Sequence, residues 1–63
     1  MQLNEIWSII EERNKVNVYD DSNMKLLYHG EPAYIPVIYG DYYITSIYAE
    51  DMNELGVEVN TDV

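Results

Sequence analysis

No cysteine occurs in this chain, and at 63 residues that absence constrains the fold more than any other feature. A chain of this size buries only about 60% of the surface that its unfolded form exposes, so its core is marginal. Small domains often compensate with disulfides or with zinc held by cysteines, and both are excluded here. The sequence therefore predicts a single domain, residues 1–63, that depends on close packing of a few side chains or on self-association.

The first residues carry the spacing of an amphipathic helix. Leu3, Ile6, Trp7 and Ile10 recur at the interval that places apolar side chains on one helical stripe. Polar side chains occupy most of the positions between them. This pattern predicts a helix over residues 3–13.

Four later segments have the composition of strands. They are rich in valine, isoleucine, tyrosine and threonine, or they alternate apolar with polar residues. Ile44 and Ile47 are three apart, which predicts either a bulge between them or cover on both faces. The predicted strands are residues 16–20, 24–29, 42–49 and 54–60, with turn clusters at 20–23 and 50–53.

The segment between the two hairpins has no clear periodicity. Pro32 and Pro36 disfavour helical geometry at the residue before each of them. Its apolar residues nonetheless need cover, so residues 31–41 are predicted as a packed connection, with one helical turn after Pro36.

The order of helix, hairpin, connection and hairpin predicts an α+β fold. In it, the N-terminal helix packs on a small antiparallel sheet of about four strands, arranged as two hairpins. One helix covers one face of a sheet. The other face is expected to present tyrosines and carboxylates.

Charge is the strongest signal in the composition. Twelve acidic residues against three basic ones give a net charge of −9. Nucleic acids and anionic membranes would repel such a surface, whereas a basic protein would attract it. The same acidity would also keep a tyrosine-rich domain soluble, and the composition leaves both interpretations open.

Features of targeting and membrane insertion are missing from the sequence. The first residues have no positive region, and no apolar run approaches the roughly 20 residues of a membrane span. We therefore expect the protein in the cytoplasm of its host cell.

The residues that carry chemistry lack the partners they would need. His29 is the single histidine, and without cysteine it cannot complete an ordinary zinc site. The serines and threonines have no base to activate them, and no glycine-rich phosphate loop occurs. We expect a protein that is not an enzyme and binds no cofactor or metal.

The tyrosines are the more useful group. The chain has seven tyrosines and no phenylalanine, and seven cannot all be buried in a domain this small. Tyrosine is enriched at binding hot spots because it provides a large contact area at low entropic cost. The predicted contact residues combine tyrosines with turn and strand carboxylates: Asp20, Asp21, Tyr28, Glu31, Tyr39, Asp41, Tyr42, Glu50, Asp51, Glu54 and Glu58.

Several short segments together resemble a known class of proteins. They are VNVYD (16–20), LYHG (27–30), IP (35–36), ITSIYAED (44–51) and LGVEV (55–59). The chain resembles the very short acidic proteins encoded by phages and mobile elements of Gram-positive bacteria, among them the anti-CRISPR and other anti-defence proteins. That resemblance implies no catalytic residues and, in several relatives, an acidic surface that occupies a basic groove meant for nucleic acid.

Three functions are compatible with these features. The first is a non-enzymatic, phage-type inhibitor that binds a basic host protein such as a CRISPR or other defence nuclease by nucleic-acid mimicry. The second is a homo-oligomeric accessory or structural protein, for instance a homodimer, that associates through its tyrosine-rich surface or an edge strand. The third is an antitoxin-like partner of a basic protein.

Overall fold

The computed structural model describes residues 1–6 and 15–62, and these include one four-stranded sheet. All four strand predictions are confirmed, with ends that differ from the predicted ones by two residues or fewer. The strands are Lys15–Asp20 (β1), Leu26–Gly30 (β2), Tyr43–Asp51 (β3) and Glu54–Asn60 (β4).

Short polar residues form the two hairpin turns, as the turn clusters predict. In the first hairpin, Asp20 Oδ1 accepts hydrogen bonds from the Ser22 backbone N–H at 3.0 Å and from its hydroxyl at 2.8 Å. These bonds favour the carboxylate and lower the pKa of Asp20. In the second hairpin, Asn53 adopts φ 61°, a left-handed conformation that asparagine tolerates.

The sheet is mixed, so the prediction of a wholly antiparallel sheet is wrong. The strand order is β2-β1-β4-β3: each hairpin is antiparallel, but β1 and β4 pair in parallel at the centre. Local patterns report the pairing within a hairpin and carry no information on how two hairpins join. The valines of β1 and β4 are completely buried, which is consistent with the central position of these two strands.

The parallel centre requires the chain to cross the sheet between the hairpins. β2 lies at one edge and β3 at the other, and the segment between them passes over the core, where Ile35 is buried. It contains two 3₁₀ helices, Pro32–Tyr34 and Val37–Tyr39. The second confirms the helical turn predicted after Pro36. The expectation that this connection is packed holds for Pro32 and Ile35, which are buried, whereas Tyr34, Val37 and Ile38 are exposed.

The N-terminal helix predicted over residues 3–13 is not supported. Leu3–Glu5 forms a 3₁₀ helix, and residues 7–14 lie outside the described part of the chain. Its first two N–H groups, those of Leu3 and Asn4, donate to Tyr42 O and Gly40 O at 2.8 and 3.1 Å and dock it onto the segment that precedes β3. Leu3 and Ile6 are three residues apart, so a 3₁₀ helix also places them on one side, and both are buried. Their apolar spacing therefore fits this short helix as well as the predicted long one.

The apolar core lies on one face of the sheet, which we call the core face. The predicted bulge is present: the register shifts between Ile44 and Ser46, so Ile44 and Ile47 pair with Val59 and Val57 and share this face. The buried core residues are Leu3, Ile6, Val16, Val18, Ile35, Val57 and Val59.

Candidate functional site

The opposite side of the sheet, the open face, carries the candidate site. Side chains alternate along a strand, so Glu54, Gly56 and Glu58 of β4 lie opposite the buried valines. The alternation predicts this placement, and the structure confirms it. No described element packs over these residues, and both glutamates are partly exposed.

Gly56 allows an aromatic ring to lie on the sheet surface. It pairs with Tyr48 of β3, and a Cβ atom at position 56 would lie 2.7 Å from Tyr48 Cζ and 2.8 Å from Glu50 Oε1. Any side chain at this position would displace the ring. Gly56 therefore lets the Tyr48 ring and the Glu50 carboxylate lie against the strand backbone.

A second tyrosine is fixed by the same carboxylate. The Tyr19 hydroxyl donates a hydrogen bond to Glu50 Oε2 at 2.7 Å. This bond, together with desolvation and the negative charge of Glu50, raises the pKa of Tyr19 to about 12. Burial and the neighbouring Glu58 likewise raise the pKa of Tyr48. Both phenols stay protonated and remain hydrogen-bond donors at neutral pH.

Tyr19 is expected to ionise near pH 12, and Glu50→Gln should lower its pKa toward the ordinary value of about 10. A raised pKa means that the folded state favours the protonated phenol. This contribution to stability is therefore complete below about pH 10 and is lost as the pH rises toward 12. Residue-resolved NMR titration measures the pKa.

The matched control for this titration is Asp41→Asn, which removes one charge from an exposed position before β3. It should leave the Tyr19 titration unchanged. Equal shifts in the two variants would show that overall charge, and not the bond to Glu50, sets the pKa.

A buried asparagine, Asn17, holds Glu54 in place by a hydrogen bond. Asn17 is 5% exposed, and its Nδ2 donates to Glu54 Oε1 at 3.1 Å. Its Oδ1 is hydrogen-bonded to Nδ1 of the exposed His29 on β2. A polar chain from β2 through β1 to β4 thus satisfies the buried amide and restrains Glu54. We call the set Tyr19, Tyr48, Glu50, Glu54 and Glu58 the glutamate face.

Four predicted contact residues lie on or beside the glutamate face. Glu50, Glu54 and Glu58 belong to it. Asp51 pairs with Glu54 at the second hairpin, where its carboxylate accepts a hydrogen bond from the Met52 N–H at 2.7 Å. These four bring negative charge to one end and one side of the sheet.

The predicted tyrosines lie elsewhere. Tyr28, Tyr39 and Tyr42 pack against the core, and the rings of Tyr39 and Tyr42 stack at 5.8 Å. The Tyr28 hydroxyl donates to Glu31 O at 2.7 Å. In this arrangement they cover the core and are remote from the open face.

The remaining predicted acids are dispersed. Asp20 and Asp21 lie at the first hairpin, and Asp41 is exposed before β3. Glu31 is 3.7 Å from Lys15 Nζ, an exposed ion pair of small energetic value. The structure does not bring these four together with the glutamate face.

Two tyrosines of the glutamate face were not among the predicted contacts. Tyr19 is brought to this face by the parallel pairing of β1 with β4, which sequence patterns do not report, and Tyr48 by the antiparallel pairing of β3 with β4. In β1, Asn17 and Tyr19 alternate with Val16 and Val18, and this pattern predicts that Tyr19 lies on the face opposite the valines. Tyr48 could be assigned to this face only after the register against Gly56 was known.

Comparison with known proteins found no match to a protein-family model, a curated protein or a solved structure. Among residues 1–6 and 15–62, no cluster of three or more potential metal ligands occurs. No helix in that part of the chain is long and apolar enough to cross a membrane.

Proposed function

We propose that this domain is a non-catalytic inhibitor that binds the basic nucleic-acid groove of a host defence effector, such as a CRISPR nuclease, through its glutamate face. The observation that carries the proposal is the arrangement of three glutamates and two tyrosines on one side of the sheet, opposite the core. The net charge of −9 and the resemblance to phage anti-defence proteins support the same role.

Fixed geometry makes such a surface effective. Glu50 and Glu54 are held by hydrogen bonds from Tyr19 and Asn17, so their ordering is largely complete before binding. Prior ordering reduces the entropic cost of association. Carboxylates presented on a rigid sheet can replace phosphates opposite lysines and arginines, and the protonated phenols add contact area and hydrogen bonds.

Capture from a Gram-positive host lysate, with the chain as bait at moderate salt, identifies the partner. The expected result is a basic nucleic-acid-binding effector that elutes at high salt, because charge pairing is screened by salt. Recovery of a basic toxin in its place would favour the antitoxin-like role. Recovery of the bait alone would contradict a partner-binding function.

Competition then tests the mechanism. A guide-loaded CRISPR nuclease, or the captured effector, is mixed with labelled target DNA, and fluorescence anisotropy follows DNA release as the chain is added. We expect stoichiometric release whose potency falls as NaCl rises. A ternary complex that keeps its DNA would contradict mimicry of nucleic acid.

A further inference from the structure

The outer edge of β3 is only partly covered. One side of β3 pairs with β4 along its length. On the other side, Gln2 bridges Tyr43 and the Ile44 N–H donates to Met1 O at 2.7 Å. Beyond Ile44, residues 45–51 have no strand partner on that side among the described residues. Their outward N–H and C=O groups can accept another strand.

This edge of β3 has few of the features that usually prevent an edge strand from pairing with another chain. Residues 45–49 contain no charged residue and no proline. Bulges disturb the register on both sides, but Ser46–Ala49 forms a regular run between them. The edge strand at the other side of the sheet, β2, is shorter, follows Lys25 and also carries a register shift. β3 is therefore the edge suited to strand addition.

We propose that residues 45–49 of β3 pair antiparallel with the same residues of a second copy of this chain, about a two-fold axis at Ile47, to form one continuous sheet. Directly opposed residues in such a pair share a face. Ile47 then meets Ile47 of the partner copy on the core face, while Ser46 meets Tyr48 on the open face. Ile47 is 49% exposed, so the contact covers apolar surface at the edge.

The charged residues of β3 lie far enough from the axis to permit a second copy as the occupant. In this register Glu50 of one copy lies roughly 20 Å along the strand from Glu50 of the other, at ~3.3 Å per residue. That separation exceeds the Debye length of about 8 Å at physiological ionic strength, so these carboxylates scarcely repel each other. A marginal core adds a reason for self-association, because small domains often gain stability by it.

Each copy has a net charge of −9, and this general repulsion weakens the dimer at low salt. Added NaCl should therefore strengthen the dimer, whereas it should weaken binding to a basic partner. The inference goes beyond the proposed function and can fail independently of it, because the dimer is measured without any partner.

Sedimentation velocity of the whole chain provides the test, from about 5 μM to about 1 mM in low and high NaCl, a range suited to the weak affinity of a small interface. The expected result is a monomer–dimer equilibrium that shifts toward dimer with salt. Ile47→Lys should raise the dissociation constant at least tenfold, since it places two ammonium groups opposite each other. Val37→Lys makes the same charge change at an 81% exposed position away from the edge and should not weaken the dimer.

Hydrogen exchange on the wild-type chain supplies a second measurement that needs no variant. Amides within Ser46–Ala49 should become more protected as the protein concentration rises. A chain that stays monomeric at the highest concentration and salt would overturn the inference. A dimer that Ile47→Lys and Val37→Lys weaken equally would also overturn it.

Discussion

Val18→Asp is expected to leave the chain unfolded at 25 °C. Val18 is completely buried in β1, in register with Tyr28 on one side and Val57 on the other. An unpaired buried carboxylate costs several kcal/mol, which is comparable with the whole stability of about 3–9 kcal/mol expected for a domain of this size. Circular dichroism and the dispersion of NMR amide signals measure the loss of structure.

Val37→Asp is the matched control, because it makes the same substitution at an exposed position of the connection. It should unfold at the same denaturant concentration as the wild type. Val18→Ala should remain folded but lose about 2 kcal/mol, since it removes buried methyl groups without burying a charge. A folded Val18→Asp chain as stable as Val37→Asp would contradict the position of Val18 in the core.

Features that depend on neighbouring residues could be predicted from the sequence. Apolar and polar residues alternate regularly over residues 54–60. That alternation predicts the bounds of β4, and it places Val57 and Val59 on the face opposite Glu58. The turn clusters at 20–23 and 50–53 predict both reversals because short polar side chains bond to adjacent backbone.

Features that depend on distant segments could not be predicted. The parallel pairing of β1 with β4 joins residues that are far apart in the chain, and neither hairpin contains a signal for it. The start of the chain follows the same rule. The Leu3 N–H bonds to Tyr42 O, a contact that only the folded chain provides.

The residues of the candidate site show the same difference between local and distant features. Glu54 and Glu58 follow from alternation within one strand, and the structure places them as expected. Tyr19 joins them because β1 and β4 are neighbours, and Tyr48 joins them because it lies opposite Gly56. Composition indicated a tyrosine surface, but the tyrosines predicted for it, Tyr28, Tyr39 and Tyr42, pack against the core.

Replacing the three glutamates of the glutamate face by glutamine, as Glu50→Gln, Glu54→Gln and Glu58→Gln together, is expected to weaken binding to a basic partner about 100-fold. Each lost ion pair at a partly exposed interface contributes up to about 1 kcal/mol, and every 1.4 kcal/mol is a factor of ten. Glutamine keeps a side-chain oxygen for the bonds from Tyr19 and Asn17, so the fold should persist. Anisotropy competition at fixed NaCl measures the affinity.

The control for this triple variant removes the same charge from other places. Asp21→Asn, Asp41→Asn and Asp62→Asn together alter acids that lie off the glutamate face, two of which were also predicted contacts. If the glutamate face forms the interface, the affinity of this variant for the basic partner should fall less than about fivefold. The small loss would come from long-range attraction, which salt screens. Equal losses in the two triples would show that net charge alone drives binding. A larger loss in the aspartate triple would move the interface to the hairpin and connection side of the molecule.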